Sequence, residues 1–294
     1  MICPILIPLK KNGQLDELNF KKIWDYVIPW VAGISIGSSF SKNDLDFTKK
    51  KEVFELISNL WDKKTPIFLD ITCKDEDLTL ELAKFVASLF PKRDSAFLEL
   101  LPLLYRGNRG LPQHLEEIYQ LTGIPIVIVN HPKKLSKQKG LFKHKNIRTA
   151  IFKRICQKDY IYAMVFQGNL KRFFNYQRAL RGREVLFYEG DEATFLKQPT
   201  TGGVVAITAN LAPRWWQKTV TTMLSLKKGE YIDTNTLLVH DYKLRVLYDL
   251  CALKPDLIYW GLKELKILDG LQESIPSDVP RQFRKLVEEI EVEW

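Results

Sequence analysis

Short apolar runs alternate with longer stretches whose apolar residues recur every three or four positions, almost from one end of the chain to the other. Cys3–Leu9, Gly33–Gly37, Pro66–Ile71, Ala96–Leu101, Pro125–Val129, Tyr160–Val165, Val185–Tyr188 and Val204–Ile207 read as strands. Asp16–Trp30, Lys49–Trp61, Asp77–Leu89, Leu111–Leu121, Asn146–Gln157 and Leu170–Leu180 read as amphipathic helices, and Asp191–Lys197 as a short helical piece. In the second of these, Val53, Phe54, Ile57 and Leu60 fall on one face. Asp77 is placed to open its helix and Gly123 to close the one before it. Strands spaced by helices in units of about 30 residues predict an α/β fold of the (β/α)8 TIM-barrel type. A doubly wound sheet is the alternative, but no Gly-x-Gly-x-x-Gly turn follows the first strand. From Pro213 the pattern is helical: Arg214–Leu226, Thr234–Leu253, Asp256–Ile267 and Pro280–Val292. Residues 1–226 are expected to form the barrel and 227–294 a helical extension packed on it.

Composition narrows the class. A length of 294 residues allows two domains, but single α/β barrels reach this size. The apolar start, Ile2–Leu9, is broken by Pro4 and Pro8 and lacks a basic lead-in, and no run reaches membrane-crossing length. A cytoplasmic protein is expected. Cys3, Cys73, Cys156 and Cys251 are scattered and form no C-x-x-C pair, so reduced thiols are expected rather than disulfides or a zinc site. Much of the net charge of +9 falls between Lys133 and Arg154, with Phe142 and Phe152 as the interleaved aromatics and no nucleic-acid motif. A solvated loop and helix face is the expectation there, and binding to an anionic partner the alternative.

The stretch Arg183–Pro213 carries two strand-like runs that each end in a small polar turn. In a parallel barrel such ends line the mouth of the active site. Within it, GDEATF and VVAITANLAP resemble strands seven and eight of the dihydrodipicolinate synthase and N-acetylneuraminate lyase superfamily. PILIPLKKNGQLDELNFKKIWDYVI, LPQHLEEIYQLTGIPIVIVNHP and PDLIYWGLKELKILDG resemble its first strand and helix, its fourth helix and fifth strand, and its C-terminal helix and turn. The resemblance implies class I lyase or aldolase chemistry, in which a strand-six lysine forms a Schiff base with pyruvate or another 2-oxo acid. It implies no cofactor and no metal, a homodimer or homotetramer, and a small anionic ligand at the barrel mouth.

Against that pattern several positions differ. The family lysine sits in a run like I-V-G-I-K-D-S-S-G; the matching residues run from Tyr160 to Gly168, and counting back from Gly168 puts Met164 at the lysine. A thioether forms no imine. Val129 stands where the family has its proton-relay tyrosine, and Lys134 where it has an arginine. The carboxylate-binding Gly-Thr-Thr-Gly-Glu turn becomes Gly37-Ser38-Ser39-Phe40-Ser41, which keeps two hydroxyls. Tyr105 is the nearest counterpart of a second family tyrosine. Asn130, Pro132, Gly190 and Asn210 are retained, and Val205 lies in the strand-eight run. By resemblance Ser38, Ser39, Tyr105, Asn130, Lys134, Gly190 and Val205 would contact a ligand.

Other candidates are Lys74, Lys134 or Lys197 as a displaced nucleophile, His131 as a base, and Glu189 with Asp191 as an acid–base or metal pair. Each has a plainer reading as a surface lysine, a turn histidine or strand-end acids. Trp215 and Trp216 point in different directions, one into the core and the other to packing or an interface. The expectation is a barrel of this family without Schiff-base catalysis, a pseudoenzyme or a protein of altered function. The alternative is a working dihydrodipicolinate synthase or 2-keto-3-deoxy sugar acid aldolase that uses a displaced lysine.

Overall fold

The computed structural model describes residues 1–38, 40, 45–90, 95–104, 109–136, 144–230, 234–269 and 278–293. Eight strands lie side by side in chain order in one sheet: β1 (Ile2–Pro4), β2 (Gly33–Ile36), β3 (Ile67–Asp70), β4 (Ala96–Leu100), β5 (Ile126–Asn130), β6 (Ile161–Phe166), β7 (Leu186–Glu189) and β8 (Gly203–Val204). The helices that alternate with them are α1 (Glu17–Val27), α2 (Phe47–Leu60), α3 (Glu76–Leu89), α4 (Leu111–Thr122), α5 (Pro132–Ser136), α6 (Thr149–Ile155), α7 (Leu170–Leu180) and α8 (Glu192–Lys197). Then follow α9 (Pro213–Lys227), α10 (Thr234–Leu253), α11 (Leu257–Glu264) and α12 (Arg281–Val292). The ladders from β3 to β7 are parallel. This is the (β/α)8 barrel arrangement with C-terminal helices.

Two compact units divide the chain. One takes Met1–Ile34 and Asp191–Trp294. In it the first and last strand segments meet through a parallel bridge between Ile2 and Val205, where the Ala206 amide donates to Ile2 O at 2.9 Å. Asn210 locks that junction. Its Oδ1 accepts from the Leu6 amide at 2.9 Å, and its Nδ2 donates to the Pro4 and Ile207 carbonyls at 2.9 and 2.8 Å. The expected first strand, Cys3–Leu9, shortens to Ile2–Pro4 because Pro4 and Pro8 offer no ladder donor and the Leu6 amide goes to Asn210 instead.

The expected eighth strand also stops early, and the chain turns into a 3-10 helix at Ile207–Asn210. Glu192 causes the turn: its Oε1 accepts from the Ile207 and Thr208 amides at 2.6 and 3.2 Å, which takes the donors a ladder would need. Thr208 Oγ1 donates to Glu192 Oε2, and the Trp216 indole donates to Thr208 Oγ1 at 2.8 Å. Trp215 and Trp216 are both buried, the former donating to Glu293 Oε2 at 2.9 Å.

The other unit takes Ser35–Ser39 and Asp44–Gly190. Here α3 opens two residues earlier than expected, on Asp75, whose Oδ1 accepts from the Asp77 and Leu78 amides. Gly123 closes α4 in the left-handed conformation at φ 60°. Helix α6 starts at Thr149 rather than Asn146, because the Asn146 side chain is bound to Asn130. All four cysteines are free thiols, and Cys73 alone is not fully buried. Among the described residues no helix is long and apolar enough to cross a membrane.

Candidate functional site

The ladder shows which side chains face inward. Paired residues of parallel neighbours point to the same side, and sides alternate along each strand. Between β3 and β7 lie β4, β5 and β6, yet the Phe68 and Tyr188 rings are 6.4 Å apart, so both fill the space the strands enclose. Tyr188 pairs with Val165, and Val165 with Val129. Phe68 pairs with Phe97 and, two residues on, Asp70 pairs with Glu99. Glu99 pairs with Val127, and Val127 with Ala163. A register shift between Ile126 and Val127 brings Tyr162 inward as well, where its ring stacks on Phe97 at 4.0 Å.

The opposite face carries Ile128, Met164 and Phe187 in register. The Phe187 ring meets Phe152 of α6 at 5.9 Å and Phe173 of α7 at 5.6 Å, so this face looks to the helices. Met164 is therefore a packing residue of the outer face. The inward position of β6 beside Val129 is Val165. Counting from Gly168 cannot see this, since a one-residue offset exchanges the two faces. β6 reads Ile-Tyr-Ala-Met-Val-Phe and contains no lysine at any position.

At the C-terminal ends of β2, β3 and β4 the inner face is acidic instead. Asp70 and Glu99 are 3% and 2% exposed. Glu99 accepts from Ser35 Oγ at 2.7 Å and from Ser38 Oγ at 3.1 Å. Lys50 of α2 lies 3.4 Å from Asp70 Oδ2 and donates to the Asp70 and Thr72 carbonyls at 2.9 and 2.8 Å. Its ammonium donors are thus fully engaged. Gly37 beside this lysine is required by its backbone, left-handed at φ 69°, since a Cβ there would make only ordinary contact with Lys50 Cε at 3.6 Å. Burial raises the Glu99 carboxyl to about 8, Asp70 adds to the rise, and the two serine hydroxyls and Lys50 oppose it. Glu99 is thereby a carboxylic acid near neutral pH, sited where barrel chemistry is done.

The expected ligand residues take other roles. Ser38 turns its hydroxyl to Glu99. Ser39 and Tyr105 lie outside the described residues. Asn130 is buried and spent on scaffold: its amide donates to Asn146 Oδ1 and Gln167 O, and its Oδ1 accepts from the Ile147 amide. Gly190 donates to Phe166 O at 2.8 Å and its carbonyl accepts from Gln167 Nε2 at 2.5 Å. Lys134 is half-buried on α5, and its amide donates to His131 Nδ1 at 3.4 Å, which uses the histidine as a cap. Val205 belongs to the first unit, buried at the Ile2 bridge. Asp191 caps α8 by accepting from the Thr194 amide at 2.8 Å, and Glu189 is buried at the end of β7. Lys74 and Lys197 are exposed. The acid cluster is absent from the expectations. Its trace in the sequence is an isolated acid inside each of two apolar strands, Asp70 in Ile-Phe-Leu-Asp and Glu99 in Ala-Phe-Leu-Glu-Leu.

A parallel barrel whose polar groups gather at the strand C-termini defines a protein of the TIM-barrel class. Residues 1–273 match the Dihydrodipicolinate synthetase family, and the chain belongs to that family. A 4-hydroxy-tetrahydrodipicolinate synthase of Herminiimonas arsenicoxydans is 23% identical over 275 residues, 91% of this chain and 88% of that protein. Among solved structures, N-acetylneuraminate lyase from Fusobacterium nucleatum superposes with a TM-score of 0.78 at 16% identity, covering 100% of this chain and 97% of the other. The chloride-inhibited dihydrodipicolinate synthase from Acinetobacter baumannii, complexed with pyruvate, gives 0.74 at 19% identity over 98% and 96%.

Proposed function

We propose that this chain is a member of the family that has given up Schiff-base catalysis and serves as a binding or structural paralogue. The observation that carries the reading is β6 itself. It holds no lysine; Ala163 and Val165 point inward beside Val127 and Val129, with Tyr162 turned inward as well. Imine formation needs an uncharged amine within the barrel, and four aliphatic side chains occupy the places nearest to where one would stand. Ser38 supports the reading, because a hydroxyl given to Glu99 is turned from a substrate carboxylate. A carboxylate substrate would also meet a wall whose cation, Lys50, is already held by Asp70 and two carbonyls.

The competing reading, a working lyase with a displaced lysine, has few amines to draw on. Lys74 and Lys197 are in solvent, Lys134 is half-buried on a short helix, and Lys50 is held by Asp70 and two carbonyls. By family likeness the chain would assemble as a homodimer or homotetramer in the cytoplasm, which light scattering and fractionation would check.

Borohydride trapping with pyruvate and other 2-oxo acids, read by intact-mass spectrometry beside an active family enzyme, decides between the two. No mass gain on this chain, with the control fully trapped, is the expected outcome. An adduct mapped to one lysine would overturn the proposal and identify the nucleophile.

A further inference from the structure

We propose that His114, Glu76 and Glu117 form a binding site for a divalent first-row transition-metal ion, distinct from the barrel interior. One donor atom from each of the three lies within 4.8 Å of the other two. Glu76 is the first residue of α3, and His114 and Glu117 stand three apart on the first turns of α4, so they share a face. The helices that bring them together start at the strand C-terminal end of their β-α units. His114 is 2% exposed, so packing fixes its ring, while both glutamates are exposed. The ring already reaches one of them, with Nδ1 at 3.1 Å from Glu76 Oε1.

The geometry closes with little movement. Metal–nitrogen and metal–oxygen bonds of about 2.0–2.2 Å put tetrahedral neighbours about 3.4 Å apart, so the donors need approach by no more than about 1.4 Å from the observed limit of 4.8 Å. Exposed glutamate rotamers cover that span. Two carboxylates gathered on one imidazole repel each other, and a cation between them turns that cost into binding. Glu117 makes no ion pair with any described residue. One nitrogen and two carboxylate oxygens suit zinc and its first-row neighbours better than magnesium, which favours an all-oxygen shell. Three protein ligands leave a fourth position for water. The ion would staple α3 to α4.

The proposal is independent of whether the barrel forms an imine. Full-length protein stripped with chelator is titrated with Zn²⁺, followed by calorimetry and thermal melting. One equivalent should bind and raise Tm, and Mg²⁺ at the same concentration should do neither. Glu117→Gln and Glu76→Gln, both at exposed carboxylates and so safe for folding, should each weaken Zn²⁺ by about tenfold or more. Cys73→Ser should leave binding unchanged. Absence of stoichiometric binding, equal binding in both glutamine variants, or loss of binding in Cys73→Ser would overturn the assignment.

Discussion

Glu99 governs how stability should respond to pH. Its carboxyl sits near 8 in the folded chain against 4.5 in the open one, so folding favours its protonated form. The stability tied to that proton is fully present below about 4.5 and is lost as pH rises through about 8. Glu192 acts in the same direction over a narrower window, raised to about 7 by burial against its hydrogen bonds from Thr208 and Ile207. Thermal melts between pH 5 and pH 8.5 should therefore show Tm falling with pH, and Glu99→Gln should flatten that slope while keeping an acceptor for the serines. An unchanged slope in the variant would show that Glu99 ionises freely in the folded protein.

At the scale of elements, the periodicity of the chain is informative where an element's own sequence decides its state. Helix α10 begins and ends at Thr234 and Leu253, where the apolar pattern places it. The strands fall within a few residues of their apolar runs. What misleads is a contact from elsewhere: Glu192 converts the end of the eighth run into a 3-10 turn, and Asn146 leaves its helix to bind Asn130. The acid site was hidden for a related reason. Ser35, Lys50, Asp70 and Glu99 come from four different elements, and none of them forms a local motif. The faces of β6 are equally invisible to counting, because pairing with β5 and β7 sets them. That assignment predicts an asymmetry. Met164→Lys would bury an ammonium against Ile128 and Phe187 and should cost roughly 3 kcal/mol or more. Val165→Lys would point toward the face that holds Asp70, Glu99 and Tyr188, and should cost distinctly less in urea melts. Equal losses would mean the two faces are not distinguished as the ladder indicates.

For the molecule as a whole, the fold is held in part by residues outside the acidic cluster. Asn210 is one of them, joining the end of β1 to the segment after β8 through two buried hydrogen bonds. Asn210→Ala leaves the Leu6 amide and the Pro4 carbonyl without that partner, a loss of about 2–4 kcal/mol on the scale of buried unsatisfied groups. Hydrogen exchange should show it first at Leu6 and Ala206, whose amides sit on either side of the junction. Protection at those amides equal to wild type would show that the barrel closes without the side chain.

The bond from Ser38 to Glu99 also bears on history. A lysine placed on the inward face of β6 would share the barrel interior with a Ser38 hydroxyl that already donates to Glu99. Removing Glu99 alone would take that acceptor from Ser35 and Ser38 and leave Lys50 held by Asp70. Neither reversal is useful without the other. If, as proposed, the chain has left imine chemistry behind, few single substitutions lead back to it.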